Sequence, residues 1–412
     1  MLSREENEIL TKTSARTPMG ELIRRYWIPA LLSAEVPDPD CPPVRVKLLG
    51  ESLVAFRDSE GRIGLLAEHC SHRGTSLFYG RNEECGLRCI YHGWKYDVDG
   101  NVLETPAEPG DSQLKHKVHH KAYPCHEAAG VVFAFLGPKD KLPLFPNYPW
   151  LSVPRDHVIV TKFFLDCNYL QALEGDCDTS HTTFLHRGNR GGGVLAPKED
   201  PAPAFEIEHT WCGLRAAATR RVGSDKQNVR VSTFVMPVIG SVPIGKTING
   251  KLDGFLAVYQ IPSDDHTTWR YNFRFKRSEP MTADEHYSDK VQVGTDFKLV
   301  ANQRNEYLLD REKQKTANYT GIEGFATQDA CVTESMGPIW DRTREHLGAS
   351  DSYVIALRRF LLKAVKDLQQ GIEPPGLVFD PSTNDFSAAN CTSVTVPLEG
   401  SWKEAEKRLY GS

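Results

Sequence analysis

Cys70-Ser71-His72 and Cys89-Ile90-Tyr91-His92 decide how this 412-residue chain is read. Each segment offers one thiolate and one imidazole. Tetrahedral zinc also takes two Cys and two His, but structural zinc sites usually pair cysteine with cysteine and histidine with histidine. One ligand of each kind from each loop suits two irons that differ in their ligands. Cys70 and Cys89 would hold one, and His72 and His92 the other, in a two-iron, two-sulfide cluster whose imidazoles raise its potential above that of an all-thiolate cluster. Gly93-Trp94 follows directly, a small residue that lets the loop wrap closely and an aromatic that shields a cluster from water. His69 and Cys85 read as loop residues rather than further ligands. A cluster ligated in this way is of the Rieske type and moves single electrons.

Composition is that of a globular protein: 40% apolar and 25% charged residues, with a formal net charge of -5. Such a charge gives no electrostatic case for nucleic acid. The opening Met1-Leu2-Ser3-Arg4-Glu5-Glu6 lacks the apolar core of a signal peptide, and the longest apolar run, Gly130 to Leu136, is too short for a bilayer. No membrane association and a cytoplasmic location are expected. The cysteines outside the cluster motif are scattered, which fits a reducing compartment better than a disulfide framework. His116, His119, His120 and His126 read as a solvated edge, not a metal site.

Residues 5 to 26 have helical periodicity, with Thr17-Pro18 as a helix start. Short β-rich runs follow at 44–49, 53–57, 63–66, 95–99 and 131–136, with turns at Ser59-Glu60-Gly61 and Asp99-Gly100. Pro138, Pro143, Pro146, Pro149 and Pro154 then mark a boundary near residue 150. Beyond it the pattern predicts a strand over 158–165, a helix from about Cys167, strands near 213–221, 229–236, 254–260 and 268–275, and helices at about 283–315, 324–346 and 350–369. The class is α+β. The expected organisation is a helical lead-in over 1–37, a small antiparallel β domain over 38–150 carrying the ligand loops, and a larger domain over 151–412.

The larger domain holds a second polar constellation. Asn168, Gln171, Glu174, Asp178 and His181 recur every three or four positions and would share one helix face. Their burial is costly unless a metal or a hydrogen-bond network satisfies them. His186 lies about 140° around a continuous helix from His181, so the helix must bend, bulge or end. Two imidazoles and one carboxylate form the facial triad of ferrous oxygenases, which leaves positions open for dioxygen. His181 and His186 are the expected imidazole ligands. Asp178 is too near His181 in sequence and suits a partner role to its ring. Asp329, within Phe325 to Met336, is the favoured carboxylate, with Glu334 and Asp341 as competitors. Gly191-Gly192-Gly193, following Arg187 and Arg190, read either as a flap over the pocket with an arginine for an anionic substrate or, equally well, as a plain flexible loop.

With both sites in this order, the chain resembles the Rieske non-haem iron oxygenases, specifically the terminal oxygenase component of the phthalate dioxygenase-like group. The likeness rests on the Met19 to Trp27 lead-in, Leu87 to Asn101, Asn168 to His186, and Glu334 to Arg342. It implies a Rieske β domain joined to a helix-grip, START-like catalytic domain of antiparallel sheet and helices, assembled as a homotrimer or stacked hexamer. It also implies that electrons cross between subunits, His92 of one chain bonding to Asp178 of its neighbour. Asp178 and Asn168 are then catalytic residues, Asn168 lying close to the iron, and Asp329 is the carboxylate ligand. The cofactors are one Rieske 2Fe-2S cluster and one mononuclear Fe(II). NADH acts through a separate flavin and iron-sulfur reductase, since this chain has no strand-GxGxxG-helix fingerprint. Dioxygen and an aromatic substrate, expected to be a carboxylate, complete the reaction. Oxidative demethylation and diaryl-ether cleavage are alternatives on the same scaffold, and a pure electron carrier is opposed by the second site.

Overall fold

Ser3 caps the first helix, Arg4–Thr11, through a reciprocal bond with Glu6, and Thr17 caps the second, Pro18–Ile23. The expected helix over 5 to 26 is therefore two helices. Between them the Asp265 carboxylate accepts from the amides of Thr13 and Ser14 at 2.8 and 3.3 Å, which holds the chain in a turn. That turn closes tightly on Gly20, where a Cβ would lie 2.3 Å from the Ser14 carbonyl oxygen. The structure is a computed structural model describing residues 1–188, 200–245, 247–248, 251–288 and 291–410.

Three small antiparallel sheets follow. Trp27–Leu32 pairs with Val131–Phe135, which pairs on its other side with Cys125–Ala128; Val44–Leu48, Glu51–Arg57 and Ile63–Ala67 form a meander; and Arg81–Glu83, Gly86–Arg88, Lys95–Tyr96 and Val102–Glu104 form the third. The predicted strand over 95–99 stops at Tyr96 because the Asp97 carboxylate accepts from the amides of Asp99 and Asn101 and turns the chain. Val54, Phe56, Leu66, Leu77, Leu87, Trp94 and Tyr96 make a separate small core beneath the cysteine loops.

The larger sheet is antiparallel and eight-stranded. Its order is Val158–Leu165, Thr268–Phe275, Leu256–Pro262, Ile239–Val242, Lys226–Val235, Gly213–Val222 and Ala204–Thr210, with Thr392–Pro397 also paired to Lys226–Val235. The amphipathic helix Ser352–Gln369 buries Tyr353, Val354, Leu357, Leu361, Ala364 and Val365, a stripe at helical spacing. One apolar cluster joins the sheets on both sides of residue 150, including Phe133, Trp150, Tyr259 and Phe273, and the Trp150 indole donates to the Tyr259 hydroxyl at 3.1 Å. The class is α+β, as expected.

The helix expected over 283–315 is interrupted. Ala283–Ser288 and Arg311–Thr316 are separate, and between them Glu306, Tyr307 and Leu308 have φ of 52°, 54° and 53°, which no helix accepts. Likewise the helix expected over 324–346 spans only Phe325–Glu334, and the chain turns away at Gly337, whose amide donates to the Glu334 carbonyl at 2.9 Å and whose φ is 90°. Among the described residues no helix is long and apolar enough to cross a membrane.

Candidate metal centres

The two cysteine loops are built alike. The Gly74 amide donates to the Cys70 carbonyl at 2.9 Å, and the Gly93 amide to the Cys89 carbonyl at 3.0 Å. Each loop is closed by a second backbone bond, Cys70 to the Thr75 carbonyl and Cys89 to the Trp94 carbonyl. Both glycines are left-handed, with φ of 78° and 74°, and a Cβ on Gly93 would strike Pro106 at 2.6 Å. Cys70 and Cys89 are buried, and the His72 and His92 rings meet edge to face with centroids 4.5 Å apart. Trp94 stacks flat on His72 at 4.9 Å, and the Tyr96 hydroxyl lies 3.0 Å from Cys70 Sγ.

This donor set fits a mixed thiolate-imidazole cluster. Burial, with the neighbouring Cys70, pushes the Cys89 thiol up, so a thiolate here calls for a positive centre. His72 Nδ1 is buried without a hydrogen-bond partner, as a free ligand nitrogen would be. Cys85 stands apart from the pair: its amide donates to Ser59 Oγ in the neighbouring turn. Of the histidines read as a solvated edge, His116, His119 and His126 are exposed as expected, and His120 alone departs. His120 is buried, with Nδ1 2.7 Å from Ser71 Oγ and Nε2 2.9 Å from the Ala67 carbonyl, so it steadies the first cysteine loop. His126 stacks on Phe145 at 3.9 Å.

At the second site the helix Tyr169–Asp176 ends at the Cys177 cap. The Asp178 carboxylate then accepts from the Ser180 amide at 2.6 Å and the His181 amide at 3.3 Å, starting a single tight turn, His181–Thr183. A bond from the Leu185 amide to the His181 carbonyl at 2.8 Å brings the chain round again. The helix thus ends before both histidines, earlier than their spacing required, and Asp178 and His181 do not share its face as expected. His181 Nε2 and His186 Nε2 lie 3.2 Å apart, and Asp329 Oδ1, from the helix Phe325–Glu334, is 3.2 Å from His186 Nε2 and 4.0 Å from His181 Nε2. Three ligand atoms therefore converge within 4.8 Å of one another.

The outer nitrogens of both rings are engaged. Asp178 Oδ2 lies 3.7 Å from His181 Nδ1, and Gln328 Oε1 is 2.8 Å from His186 Nδ1. These partners orient the rings and leave Nε2 free as the ligand atom. Burial opposes ionisation of Asp329, yet the hydrogen bond and charge of His186, with Arg270 and His181, hold its carboxyl below the usual range. Burial likewise resists charging His181, but Asp178, Asp329 and Asp176 together raise its pKa. The carboxylates that favour a proton on His181 would equally favour a metal cation in its place, bound by the neutral ring.

The competing carboxylates are occupied elsewhere. Glu334 takes the Tyr307 hydroxyl and, at 2.8 Å, the Asp166 amide, while exposed Asp341 caps a turn at Thr343. Asn168, Gln171 and Glu174 share a helix face as expected, but that face does not meet the histidines. Asn168 is the helix cap; its oxygen accepts from the Leu170 amide, and its nitrogen donates to the carbonyls of Thr11 and Asp265 at 2.9 and 2.7 Å. Every polar atom of the Asn168 side chain thus serves in capping the helix or tying it to the lead-in arm and to Asp265. Gln171 bonds the backbone of Thr333, Gly337 and Trp340, and Glu174 pairs with Arg342 and Arg358. A hydrogen-bond network satisfies this face.

Four contributors escaped the sequence reading: Gln328, Asp176, Arg270 and Gln260. Asp176 accepts from Gln260 at 2.7 Å and pairs with Arg270 at 3.3 Å; burial, opposed by Arg270, pushes its carboxyl up to about 6. Thr268, Arg270 and Asn272 share one face of the strand and alternate with Trp269, Tyr271 and Phe273, which is the one available signal. Arg187 lies over the Phe184 and Tyr319 rings, whereas Arg190 and Gly191 to Gly193 lie outside the described residues.

Comparison with known proteins agrees with this geometry. Residues 26–124 match the Rieske [2Fe-2S] domain family, and residues 134–409 match the family described as LigXa C-terminal domain like. The chain is 40% identical over 393 residues to the oxygenase subunit of phthalate 4,5-dioxygenase from Pseudomonas putida, covering 90% of this chain and 88% of that one. It is 35% identical over 434 residues to the oxygenase subunit of 3-chlorobenzoate-3,4-dioxygenase from Comamonas testosteroni, covering 99% and 98%. NdmA of Pseudomonas putida CBB5 shares the fold, with a TM-score of 0.64 at 21% identity over 86% of this chain and 94% of that one. The chain belongs to the Rieske non-haem iron oxygenases, as an oxygenase subunit whose family carries a 2Fe-2S cluster and a mononuclear iron.

Proposed function

We propose that this oxygenase hydroxylates an aromatic carboxylate, with Cys70, His72, Cys89 and His92 holding the cluster and His181, His186 and Asp329 holding the iron. The carrying observation is the convergence of His181 Nε2, His186 Nε2 and Asp329 Oδ1 within 4.8 Å. The chemistry supplied there is single-electron delivery and dioxygen activation, drawing on NADH through a separate reductase. The chain's own part is positional. Asp178 and Gln328 fix the imidazole rings, and Asp178 keeps an oxygen beside His181 Nδ1 for a partner arriving from outside. The exposed Ile90 and Tyr91 at the cluster rim, 58% and 54% accessible, support seating against a second copy in a trimer. So do Phe184 and Tyr319, packed on each other at 5.9 Å beside the His181 turn. The carboxylate substrate is supported by the relatives named for phthalate and 3-chlorobenzoate. The matched ranges 26–124 and 134–409 support a cluster domain followed by an iron domain, both beginning ahead of the boundaries at 38 and 151 expected from the sequence, and Trp27–Leu32, within the lead-in over 1–37, is a strand rather than a helix. Free cysteines throughout the chain are consistent with a cytoplasmic location.

The test is substrate-stimulated oxygen uptake with a surrogate reductase, using aromatic acids, methoxy-aromatic acids and N-methyl compounds, with products identified by mass. A ring product carrying both oxygen atoms is the expected result. Formaldehyde release reassigns the chain to oxidative demethylation, and a reducible, iron-loaded protein that answers to no aromatic acid refutes the carboxylate reading.

A further inference from the structure

Arg270 lies on the strand Thr268–Phe275 and is 7% exposed. Its three guanidinium nitrogens are spread over separate partners. Nε donates to Asn272 Oδ1 at 3.0 Å, Nη2 lies 3.3 Å from Asp176 Oδ1, and Nη1 lies 3.6 Å from Asp329 Oδ2. Asp176 is itself fixed, since its other oxygen accepts from Gln260 Nε2 at 2.7 Å. The planar fork is thus held in one orientation between two carboxylates, a task that the single ammonium of lysine performs poorly.

The two oxygens of Asp329 consequently face different partners. Oδ1 lies among the imidazole nitrogens, 3.2 Å from His186 Nε2 and 4.0 Å from His181 Nε2, while Oδ2 faces the guanidinium. We propose that Arg270 is a positioning residue that reserves Asp329 Oδ2, so that the carboxylate offers the metal one oxygen and not two. This rests on His181, His186 and Asp329 being the iron ligands, as proposed above. With one carboxylate oxygen withheld, one further position at the metal stays open for dioxygen or substrate. A lone pair turned toward a buried cation is less available to a second cation. Asp176 and Gln260 act one step further out, by keeping Arg270 from swinging away.

The experiment compares the full-length wild-type chain with Arg270→Gln and Arg270→Lys. Each is reconstituted anaerobically with Fe(II) and crystallised, with Fe K-edge X-ray absorption in solution as the second measurement. The absorption and EPR signature of the cluster checks that each variant is folded. In the wild type only Oδ1 is expected on the metal, with Oδ2 against Arg270. In Arg270→Gln a shift to both oxygens is expected, and Arg270→Lys should fall between. A wild type holding iron through both oxygens overturns the inference, as does Arg270→Gln keeping iron through Oδ1 alone. Should Arg270→Gln fail to fold, the wild-type binding mode and Arg270→Lys decide the matter. Iron absent from this set of residues in the reconstituted wild type overturns the site assignment itself, and this inference with it.

Discussion

Replacing Glu174 with Gln is expected to destabilise the chain while leaving both metal centres loaded. Glu174 accepts from Arg342 Nε and Nη2, the latter at 2.9 Å, and from Arg358 Nε at 2.6 Å. Arg342 is fully buried, and Arg358 nearly so. Arg358 keeps a second carboxylate, Glu345. Arg342 would keep only the Asn7 side-chain oxygen and the Trp340 carbonyl, so one buried guanidinium loses its counter-charge. Breaking a buried pair from one side costs about 3–5 kcal/mol. The amide oxygen of Gln recovers about 1 kcal/mol as a hydrogen bond, leaving a loss of about 3 kcal/mol. An unfolding entropy of about 2.1 cal/mol/K per residue over 412 residues gives about 0.9 kcal/mol/K, so Tm should fall by about 3–4 °C.

The pH dependence fixes the sign. Burial opposes ionisation of Glu174, but Arg342 and Arg358 outweigh it and hold its carboxyl below the ordinary value. Its contribution is therefore present above the unfolded-state carboxylate range and is lost as pH falls through the depressed folded value. The gap between wild type and Glu174→Gln should be widest near neutral pH and narrow in acid. Thermal unfolding by circular dichroism, with iron and sulfide analysis, is the assay. A Tm change under about 1 °C at neutral pH, or loss of iron without loss of stability, would refute the assignment of Glu174 to the structural network.

Further outcomes are expected at the metal centres. Asp329→Asn should lower iron from about three to about two per chain with sulfide unchanged, as measured by metal analysis after ferrous reconstitution. Asp178→Ala should keep the cluster and most of the iron yet lose turnover by at least about a hundredfold, read as oxygen uptake; substantial retained activity sinks its relay role. Tyr96→Phe removes the hydroxyl 3.0 Å from Cys70 Sγ and should lower the midpoint potential of the cluster in redox titration, because a donor to sulfur favours the electron-rich reduced form. Gly93→Ala places a Cβ at a φ of 74° against Pro106 and should cut cluster content, read from visible absorbance.

Local chemistry made the cluster loops readable: two Cys-to-His segments, each followed by a glycine that the loop needs in the left-handed region. The long strands were readable because half-buried sheets alternate, as Thr268–Phe275 does. Periodicity also placed Asn168, Gln171 and Glu174 on one face, but it is silent on what that face meets, and here it meets the lead-in arm and the segment after Glu334. The same limit left Asp329, Glu334 and Asp341 as rivals until their separate partners were visible. Long-range pairs such as Gln328 with His186 leave no trace in spacing, because the two residues meet only through the fold. The strands Ala204–Thr210, Ile239–Val242 and Thr392–Pro397 went unread; Ile239–Val242 is too short to alternate visibly, and Thr392–Pro397 is placed by its pairing with Lys226–Val235.

The decisive measurement is a single turnover. The chain is loaded with iron, its cluster is reduced chemically in the absence of reductase, and it is mixed with ¹⁸O-labelled dioxygen and an aromatic acid. Rapid cluster reoxidation with labelled ring product, both lost in Asp329→Asn, is the predicted result. Equal reoxidation and equal product whether or not His181, His186 and Asp329 hold iron would contradict the assignment of the reaction to that site.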